Sequence, residues 1–302
     1  MTVDDAVDRA AALERAVNGD LTTAIEILRG VADASGDPED RLVLGKLAFV
    51  AIEYDESQTQ LERAYRDFQE KGLPRRAALA AGALATLFFD GLDEQVIAQG
   101  WHARALRLLE REDLCVEKGY VLLSLTGASV ASASELEESA RIALDLAQRF
   151  GDRVLECKAL GDGGLALVSM GKTAEGLSRL DEAFTMIIGG DCPDPGVISQ
   201  VVCAMLSACD RSGDAIRAES WVRFVEKMAS QNRVAAVHTF SHCWSAFGSV
   251  LCQVGRWTEA ETALRTALAR GEHSFHINRL QTRAALADLW TRQGRLDEAA
   301  RL

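Results

Sequence analysis

The chain has 302 residues, of which 48% are apolar and only 6% aromatic, and its formal net charge is −12. This acidic balance is unfavourable for binding nucleic acid, because phosphate contacts require clustered Lys and Arg. The sequence contains no long apolar stretch, so it predicts no transmembrane helix, and its first residues do not resemble a signal peptide. We therefore expect a cytoplasmic protein in which this segment binds neither nucleic acid nor membrane directly.

The N-terminal half predicts helix pairs with an imperfect common pattern. In each copy a small residue marks the first helix or the turn, and an apolar stripe at helical spacing follows. The four copies are Gly19 before Ala24, Leu28 and Val31; Leu44, Gly45 and Ala48 before Ser57, Leu61 and Ala64; Gly82, Ala85 and Phe89 before Ala98 and Ala105; and Tyr120 and Leu123 before Leu136, Ala140 and Ala143. The pattern is weaker here than further along the chain.

The C-terminal half repeats the pattern more regularly, around four turn glycines. Gly171, Gly213, Gly255 and Gly294 are 42, 42 and 39 residues apart. The best copy runs from Trp244 to Ala267, where Gly248 lets a neighbouring helix approach closely and Gly255 suits a left-handed turn. A helix pair cannot bury its own apolar face, so copies must stack on one another.

This spacing resembles the tetratricopeptide repeat, with a period near ~40 rather than 34 residues. The resemblance implies an all-α fold, a right-handed superhelical solenoid of about eight antiparallel helix pairs within one repeat domain over residues 1–302. No run alternates apolar and polar residues in the manner of a strand, so no sheet is expected. The expected units are approximately 1–36, 37–72, 74–112, 114–151, 152–190, 196–231, 234–271 and a truncated 274–302.

Two glycine-containing motifs could carry chemistry, but each has a simpler interpretation. Gly171-Lys172-Thr173 resembles the end of a phosphate-binding loop, yet Ala166 occupies the position of a required glycine and the flank is helical. We interpret it as a turn between paired helices. Gly161-Asp162-Gly163-Gly164 follows no strand, so close helix packing explains these glycines better than a dinucleotide site.

Histidines and cysteines give no stronger signal. His238 and His242 are four residues apart on one expected helix face, but the glutamate of a zincin motif is missing. The seven cysteines include no C-x-x-C, so neither a disulfide framework nor a zinc cluster is indicated, and most are expected to be buried apolar residues. The sequence thus predicts no catalytic residue, no metal ligand and no cofactor, and we expect a protein that is not an enzyme.

In tetratricopeptide arrays the first helix of each unit lines the concave surface, so residues beside its buried stripe are candidates for ligand contact. This set is polar and rich in hydrogen-bonding groups, which suits a protein or peptide partner or a small polar ligand. Solvated helix faces would have the same composition. The candidates are Lys158, Gln200, Asp210, Arg211, His242, Ser249, Gln253, Gln281, Asp288 and Arg292.

The segment from Ala159 to Ala183 and the units after it resemble the sensor arrays of bacterial LuxR-type transcription regulators, especially actinobacterial members. The resemblance covers roughly residues 100–302. It implies a repeat region that receives a signal or partner, followed in those proteins by a DNA-binding helix-turn-helix domain. The sequence ends within an expected helix at Arg301-Leu302, so either it is a segment of a longer regulator or the resemblance extends only to the repeat scaffold.

Two functional hypotheses follow. The first is a non-catalytic protein-interaction or signal-sensing domain, the regulatory part of a LuxR-type regulator. The alternative is a small-molecule- or peptide-binding protein, or an enzyme, that uses the concave groove around His238, His242 and Asp210. Because the last unit lacks most of its second helix, its apolar face predicts concentration-dependent homodimerisation.

Overall fold

The computed structural model describes residues 3–125, 132–214, 216–221, 223, 241–270 and 276–302. Within these ranges the side chains of residues 3–8, 241–243, 270 and 276–278 are not described. The described residues are helical or lie in short connections, and none of them forms a strand. The prediction of an all-helical fold without a sheet is confirmed for this part of the chain.

The helices follow one another with short connections, as expected for stacked hairpins. They are α1 (Val3–Val17), α2 (Leu21–Ser35), α3 (Pro38–Val50), α4 (Tyr54–Glu70), α5 (Pro74–Thr86), α6 (Gln95–Leu109), α7 (Val116–Leu122), α8 (Ala133–Phe150), α9 (Arg153–Ser169), α10 (Thr173–Gly189), α11 (Pro195–Ser212), α12 (Ser241–Gln253), α13 (Trp257–Arg270), α14 (His276–Arg292) and α15 (Leu296–Ala299). Residues 216–221 are also helical. Most of the second helix expected for unit 196–231 lies outside the described residues.

The four turn glycines of the C-terminal half have the left-handed backbone expected of them. Gly171, Gly213, Gly255 and Gly294 have φ values of 81°, 67°, 79° and 77°. Each follows the end of a helix, where a residue with a Cβ atom would be strained. The expectation that Gly171-Lys172-Thr173 is a turn between helices is therefore confirmed.

Glycines within α9 allow three other helices to approach it. A Cβ atom on Gly161 would lie 2.8 Å from Val201 of α11, and one on Gly163 would lie 3.1 Å from Ala140 of α8. A Cβ atom on Gly164 would lie 2.7 Å from Leu180 and 2.8 Å from the carbonyl oxygen of Gly176, both in α10. Close helix packing, as expected from the sequence, accounts for this glycine cluster.

Gly19, Gly36 and Gly72 have left-handed backbone in the N-terminal half as well, but other connections there are formed without glycine, which makes its pattern harder to recognise. After α5 the chain forms a π-helical turn, Leu87–Gly91, which the sequence did not predict. The connections after α3 and after this turn contain positive φ angles at the non-glycine residues Ile52 (65°) and Asp93 (57°). A search for turn glycines cannot find turns of this kind.

The helices pack mainly against their neighbours in sequence, as in a repeat array. The first helices of successive pairs also lie side by side: α5 contacts α7, α9 contacts α11, and α12 contacts both α11 and α14. One contact joins distant parts of the chain, because α3 packs against α11. The array therefore curls far enough to bring its second expected unit against its sixth.

The fold is thus an all-helical, tetratricopeptide-like repeat. The right-handed superhelix of eight pairs, its unit boundaries and its homodimerisation stay predictions. No helix among the described residues is long and apolar enough to span a bilayer.

Candidate ligand-binding cavity

A cavity of about 510 Å³ lies inside the curled N-terminal part of the array. Its walls come from the first helices of the pairs, α3, α5, α7, α9 and α11, and Leu13 of α1 also reaches it. The second helices α4, α6, α8 and α10 contribute only Leu61 of α4. The cavity therefore occupies the side of the array on which the tetratricopeptide resemblance places a binding groove.

Most of the cavity wall is aliphatic. These side chains are turned inward because the outer stripe of each helix is used for packing against its partner helix. Leu79, Ala83 and Val43 are only partly buried by other protein atoms, so they present apolar surface to the cavity. The aliphatic residues include Leu42, Val43, Leu47, Val50, Leu79, Ala83, Val116, Val121, Val154 and Val197.

The contact between α3 and α11 closes one side of the cavity. The Lys46 ammonium lies 3.3 Å from the Asp194 carboxylate, 148 residues away in the chain. Asp194 also begins α11, because its other carboxylate oxygen accepts hydrogen bonds from the backbone N–H groups of Gly196 and Val197. The pKa of Asp194 is lowered although burial opposes ionisation, because Lys46 and these N–H donors stabilise the carboxylate.

A buried ion pair forms another part of the wall. Lys158 donates to Asp162, one turn away on α9, at 3.1 Å, and to Gln200 of α11 at 2.7 Å. The two charged side chains are only 8% and 10% exposed. Burial raises the pKa of Asp162, and the attraction of Lys158 offsets this only in part. Lys158 and Gln200, two residues expected at the groove, are thus brought together at the cavity wall.

The π-helical turn places a further carboxyl near this pair. Burial raises the pKa of Asp90 to about 7; Lys158 opposes the rise and Asp162 adds to it. The pKa of Tyr54 is raised to about 12, first by burial and then by the charge of Asp90. Neither Asp90 nor Asp162 is among the residues that line the cavity. Both stand behind Lys158.

Several other polar groups of the wall are bound to protein partners. Arg76 forms a bidentate pair with Glu39 of the preceding unit. The Tyr120 hydroxyl donates to Asp152 at 3.0 Å, and Asp152 accepts from the backbone N–H of Leu155 at 2.9 Å as the N-cap of α9. The pKa of Tyr120 is raised by burial and by the neighbouring Asp152. These partners fix the walls of the cavity before any ligand binds.

Six of the remaining groove candidates lie outside the cavity and form contacts in the C-terminal units: Asp210, Arg211, Ser249, Gln253, Asp288 and Arg292. Gln253 donates to the Asp210 carboxylate at 2.8 Å, and Ser249 also hydrogen-bonds to that carboxylate, whose pKa is raised by burial. Arg211 donates to the Ser169 hydroxyl at 3.1 Å, and Arg292 pairs with Asp288 at 2.8 Å. The hydrogen-bonding groups of these candidates are therefore bound to protein partners.

Two of the groove candidates remain to be placed. Gln281 is exposed on α14. The side chain of His242 and the whole of His238 lie outside the described residues, so their expected shared helix face stays a prediction. Gln281 is not among the residues that line the cavity.

Sequence reasoning did not identify most of the cavity. Lys46, Arg76, Tyr120, Asp152 and Asp194 belong to units whose repeat pattern is weak or to the connection between units. One local signal was available: Asp194 stands between Pro193 and Pro195, the arrangement of an N-cap followed by a proline at the first helical position. That signal predicts a helix start but not its contact with Lys46.

Among the described residues, no group of three or more His, Cys, Asp or Glu side chains is placed to hold a metal ion. Cys115, Cys157, Cys192 and Cys209 are free and buried, and Cys252 is free and partly buried. Cys203 is disulfide-bonded, which the interpretation of the cysteines as buried apolar residues did not anticipate.

Comparison with known proteins supports the fold. No protein-family model and no curated protein matches the chain. Among solved structures, a Rap protein complexed with Competence and Sporulation Factor is similar, with a TM-score of 0.63 and 12% sequence identity. The match covers 87% of this chain and 74% of the Rap chain. At this identity the likeness concerns the helical-repeat architecture.

Proposed function

We propose that this chain is a non-catalytic, signal-sensing repeat domain that binds a short peptide segment in the cavity between its first helices. The observation that carries the proposal is the closure of the array by α3 and α11 around an aliphatic space. Largely preformed, mostly apolar concavities with a few placed polar groups are the usual form of ligand sites. The ionic side chains of the wall hold one another, an arrangement that supports binding rather than catalysis.

The size of the cavity limits the partner. A volume of about 510 Å³ is within the range of roughly 300–1,000 Å³ found for small ligands. It accommodates a few residues of an extended chain, whereas a folded domain would have to remain outside. The Rap structure was solved in complex with a factor, which is consistent with partner binding by a helical-repeat protein of this shape. A small molecule that fills the same space is the alternative.

The resemblance of residues 100–302 to LuxR-type sensor arrays leads to a finer proposal. In this proposal the chain is the regulatory part of a transcription regulator, and a separate helix-turn-helix domain reads the DNA. The acidic charge of −12 supports a division of labour in which this part does not touch DNA. The nucleotide sequence beyond codon 302 tests it: a helix-turn-helix coding region is expected, and a stop codon there contradicts the proposal.

The cavity itself is tested by filling it. A library of unlabelled pentapeptides and a library of small molecules are screened for members that raise the Tm of the protein, since a ligand that binds only the folded state stabilises it. The members found are then measured by calorimetry against Ala83→Trp, which places an indole in the cavity, and Ala103→Trp, which makes the same change at an exposed position of α6.

We expect aliphatic peptides to bind the native protein and Ala103→Trp equally and to bind Ala83→Trp at least about tenfold more weakly. If Ala83→Trp fails to fold, Val43→Trp fills the cavity from α3 instead. Equal affinity for filled and unfilled proteins would overturn the proposal. Selection of small molecules but no peptide, with the same loss in Ala83→Trp, would favour the alternative ligand.

A further inference from the structure

The orientation of Gln200 leaves hydrogen-bond donors facing the cavity. Lys158 can only donate, so the oxygen of the Gln200 amide must face it, as the 2.7 Å contact shows. The amide nitrogen then points the other way. Among the described residues it has no acceptor within hydrogen-bonding distance, and it is not among the fully buried polar atoms without a partner. It is therefore open to the space that Gln200 lines.

Lys158 also has an unused hydrogen-bond donor beside the Gln200 amide. An ammonium group carries three N–H donors, and Lys158 uses two of them, one on Asp162 and one on Gln200. The third is not used by any described residue. Lys158 and Gln200 both line the cavity. Each residue therefore keeps an N–H donor beside the cavity, and an acceptor atom placed between the two would satisfy both.

Every cation that lines this wall is already paired with a carboxylate, and the lining carboxylates Glu117 and Asp152 add negative charge. Each lining cation has a carboxylate partner: Lys46 has Asp194, Arg76 has Glu39, and Lys158 has Asp162. An anionic ligand would therefore meet no free cation, and a ligand of either charge would lose its hydration on entering the cavity, which costs several kcal/mol for a buried ion. The raised pKa of Asp162, which persists beside Lys158, shows that burial here already disfavours charge.

We propose that the cavity takes an uncharged, largely aliphatic ligand that presents a carbonyl oxygen to Gln200 and Lys158. This inference rests on the proposed function, because it names the chemistry of the ligand of the same cavity. A carbonyl oxygen accepts from both donors, and the aliphatic body of the ligand fills the space between Val43, Leu79 and Ala83. An amide carbonyl of this kind belongs either to a peptide segment or to a non-peptide amide.

The test compares probes with one apolar body and different charges. N-acetyl-leucyl-leucinamide is uncharged, N-acetyl-leucyl-leucine carries a carboxylate, and leucyl-leucinamide carries an ammonium group. N-hexylhexanamide supplies the same carbonyl without a peptide. Each is titrated by calorimetry into the native protein and into Gln200→Met, Gln200→Glu, Ala83→Trp and the control Gln253→Met, which alters the exposed amide of the Asp210 pair.

The uncharged dipeptide is expected to bind at least about tenfold more tightly than either charged form. Gln200→Met removes the amide, and Gln200→Glu keeps the acceptor for Lys158 but removes the donors. Both weaken the uncharged probes at least about tenfold, while Gln253→Met leaves them unchanged. Tighter binding of N-hexylhexanamide than of the dipeptide assigns the ligand to the non-peptide source; the reverse assigns it to peptides.

The inference and the proposed function fail in different ways. If Ala83→Trp abolishes binding but the charged forms bind as tightly as the neutral one, the inference is overturned and the cavity remains the site. An unchanged affinity in Gln200→Met and Gln200→Glu also overturns it. Binding that survives Ala83→Trp shows that the cavity is not the site and removes both. No binding of either uncharged probe at about 1 mM overturns the inference.

Discussion

Two contacts of the same kind connect neighbouring units in different parts of the array. Lys158 of α9 bonds Gln200 of α11 across 42 residues, and Asp210 of α11 bonds Gln253 of α12 across 43 residues. Each joins a charged group to an amide at the spacing of one unit. In the first contact the Lys158 side chain is only 8% exposed, whereas Gln253 is exposed.

The difference between these contacts comes from the closure of the array rather than from the repeat itself. The repeat spacing determines which residues meet. The packing of α3 against α11 determines which of those side-chain contacts are buried. A contact between a charged group and an amide is therefore a buried part of a cavity wall in one region and an exposed surface contact in the other. Electrostatic energies should differ accordingly.

Among the substitutions that test this difference in burial, we expect Lys158→Met to change the free energy of unfolding most. It leaves Asp162 buried without its partner, a loss that typically destabilises a protein by about 3 kcal/mol or more. Arg292→Met removes the corresponding partner from the Asp288 pair, whose side chains are more than half exposed, and we expect a change below about 0.5 kcal/mol. Urea unfolding of the two variants measures both values.

The pH dependence of the stability of Lys158→Met tests whether the Lys158–Asp162 pair is buried. Without the ammonium group the carboxyl of Asp162 can avoid its buried charge only by binding a proton, so the destabilisation should grow as the pH rises. A cost that is equal in the two variants, or one that does not change between acid and alkaline solution, would contradict the burial of the first pair.

Substitution of two helix-packing glycines, one in each region, tests the same contrast with a smaller expected change in the free energy of unfolding. A Cβ atom on Gly164 would meet the carbonyl oxygen of Gly176 at 2.8 Å, whereas one on Gly248 would meet the Leu264 side chain at 2.6 Å and backbone only at 3.3 Å. A side chain can move aside more readily than backbone. We expect Gly164→Ala to cost about 2–3 kcal/mol and Gly248→Ala about 1 kcal/mol, by thermal unfolding.

Gly100→Ala is the matched control for these glycines, because nothing lies within 4 Å of its added Cβ. Alanine favours a helix more than glycine does, so this change should stabilise the protein by up to about 1 kcal/mol. If Gly248→Ala proved the more damaging of the two packing substitutions, the C-terminal units would be the more tightly constrained region.

The regular features of the fold could be predicted because they depend on local chemistry. Turn glycines such as Gly171 and Gly255 are needed for left-handed backbone, and Gly164 and Gly248 are needed where helices approach closely. Each requirement lies within one unit and repeats at a fixed spacing. Two groove residues, Lys158 and Gln200, followed from the same periodicity because they occupy equivalent positions in successive units.

The cavity could not be predicted in the same way, because it depends on how the units curl. Whether Lys46 meets Asp194 is decided by small rotations accumulated over four units, and no single segment contains that information. The π-helical turn that carries Asp90 is also absent from the repeat pattern. Leu87, Phe88 and Phe89 continue the apolar pattern of α5, so only the surrounding contacts distinguish this turn from a continuing α-helix.

The carboxyl of Asp90 offers the smallest and most specific test of the buried region. Its pKa in the folded protein is about 7, above the ordinary value near 4 of an unfolded chain. Between about pH 4 and pH 7 the folded state therefore binds more protons, and stability is lost as the pH rises through that window. Asp90→Asn removes this loss. A pKa difference of about three units corresponds to about 4 kcal/mol for a fully buried group, but Asp90 is partly exposed and solvent screens its charge. We therefore expect Asp90→Asn to raise the free energy of unfolding by about 1 kcal/mol at pH 8 and to give no gain at pH 4.

Asp297→Asn, on the exposed C-terminal helix α15, is the matched control, and we expect it to leave the pH dependence of unfolding as it is in the native protein. Urea unfolding at pH 4, 6 and 8 measures all three proteins. A gain for Asp90→Asn at every pH would reflect better packing of the amide and not the removal of a titrating group. No gain at pH 8 would mean that water reaches Asp90 as freely as it reaches Asp297, and the contrast between the enclosed and open regions would not extend to the π-helical turn.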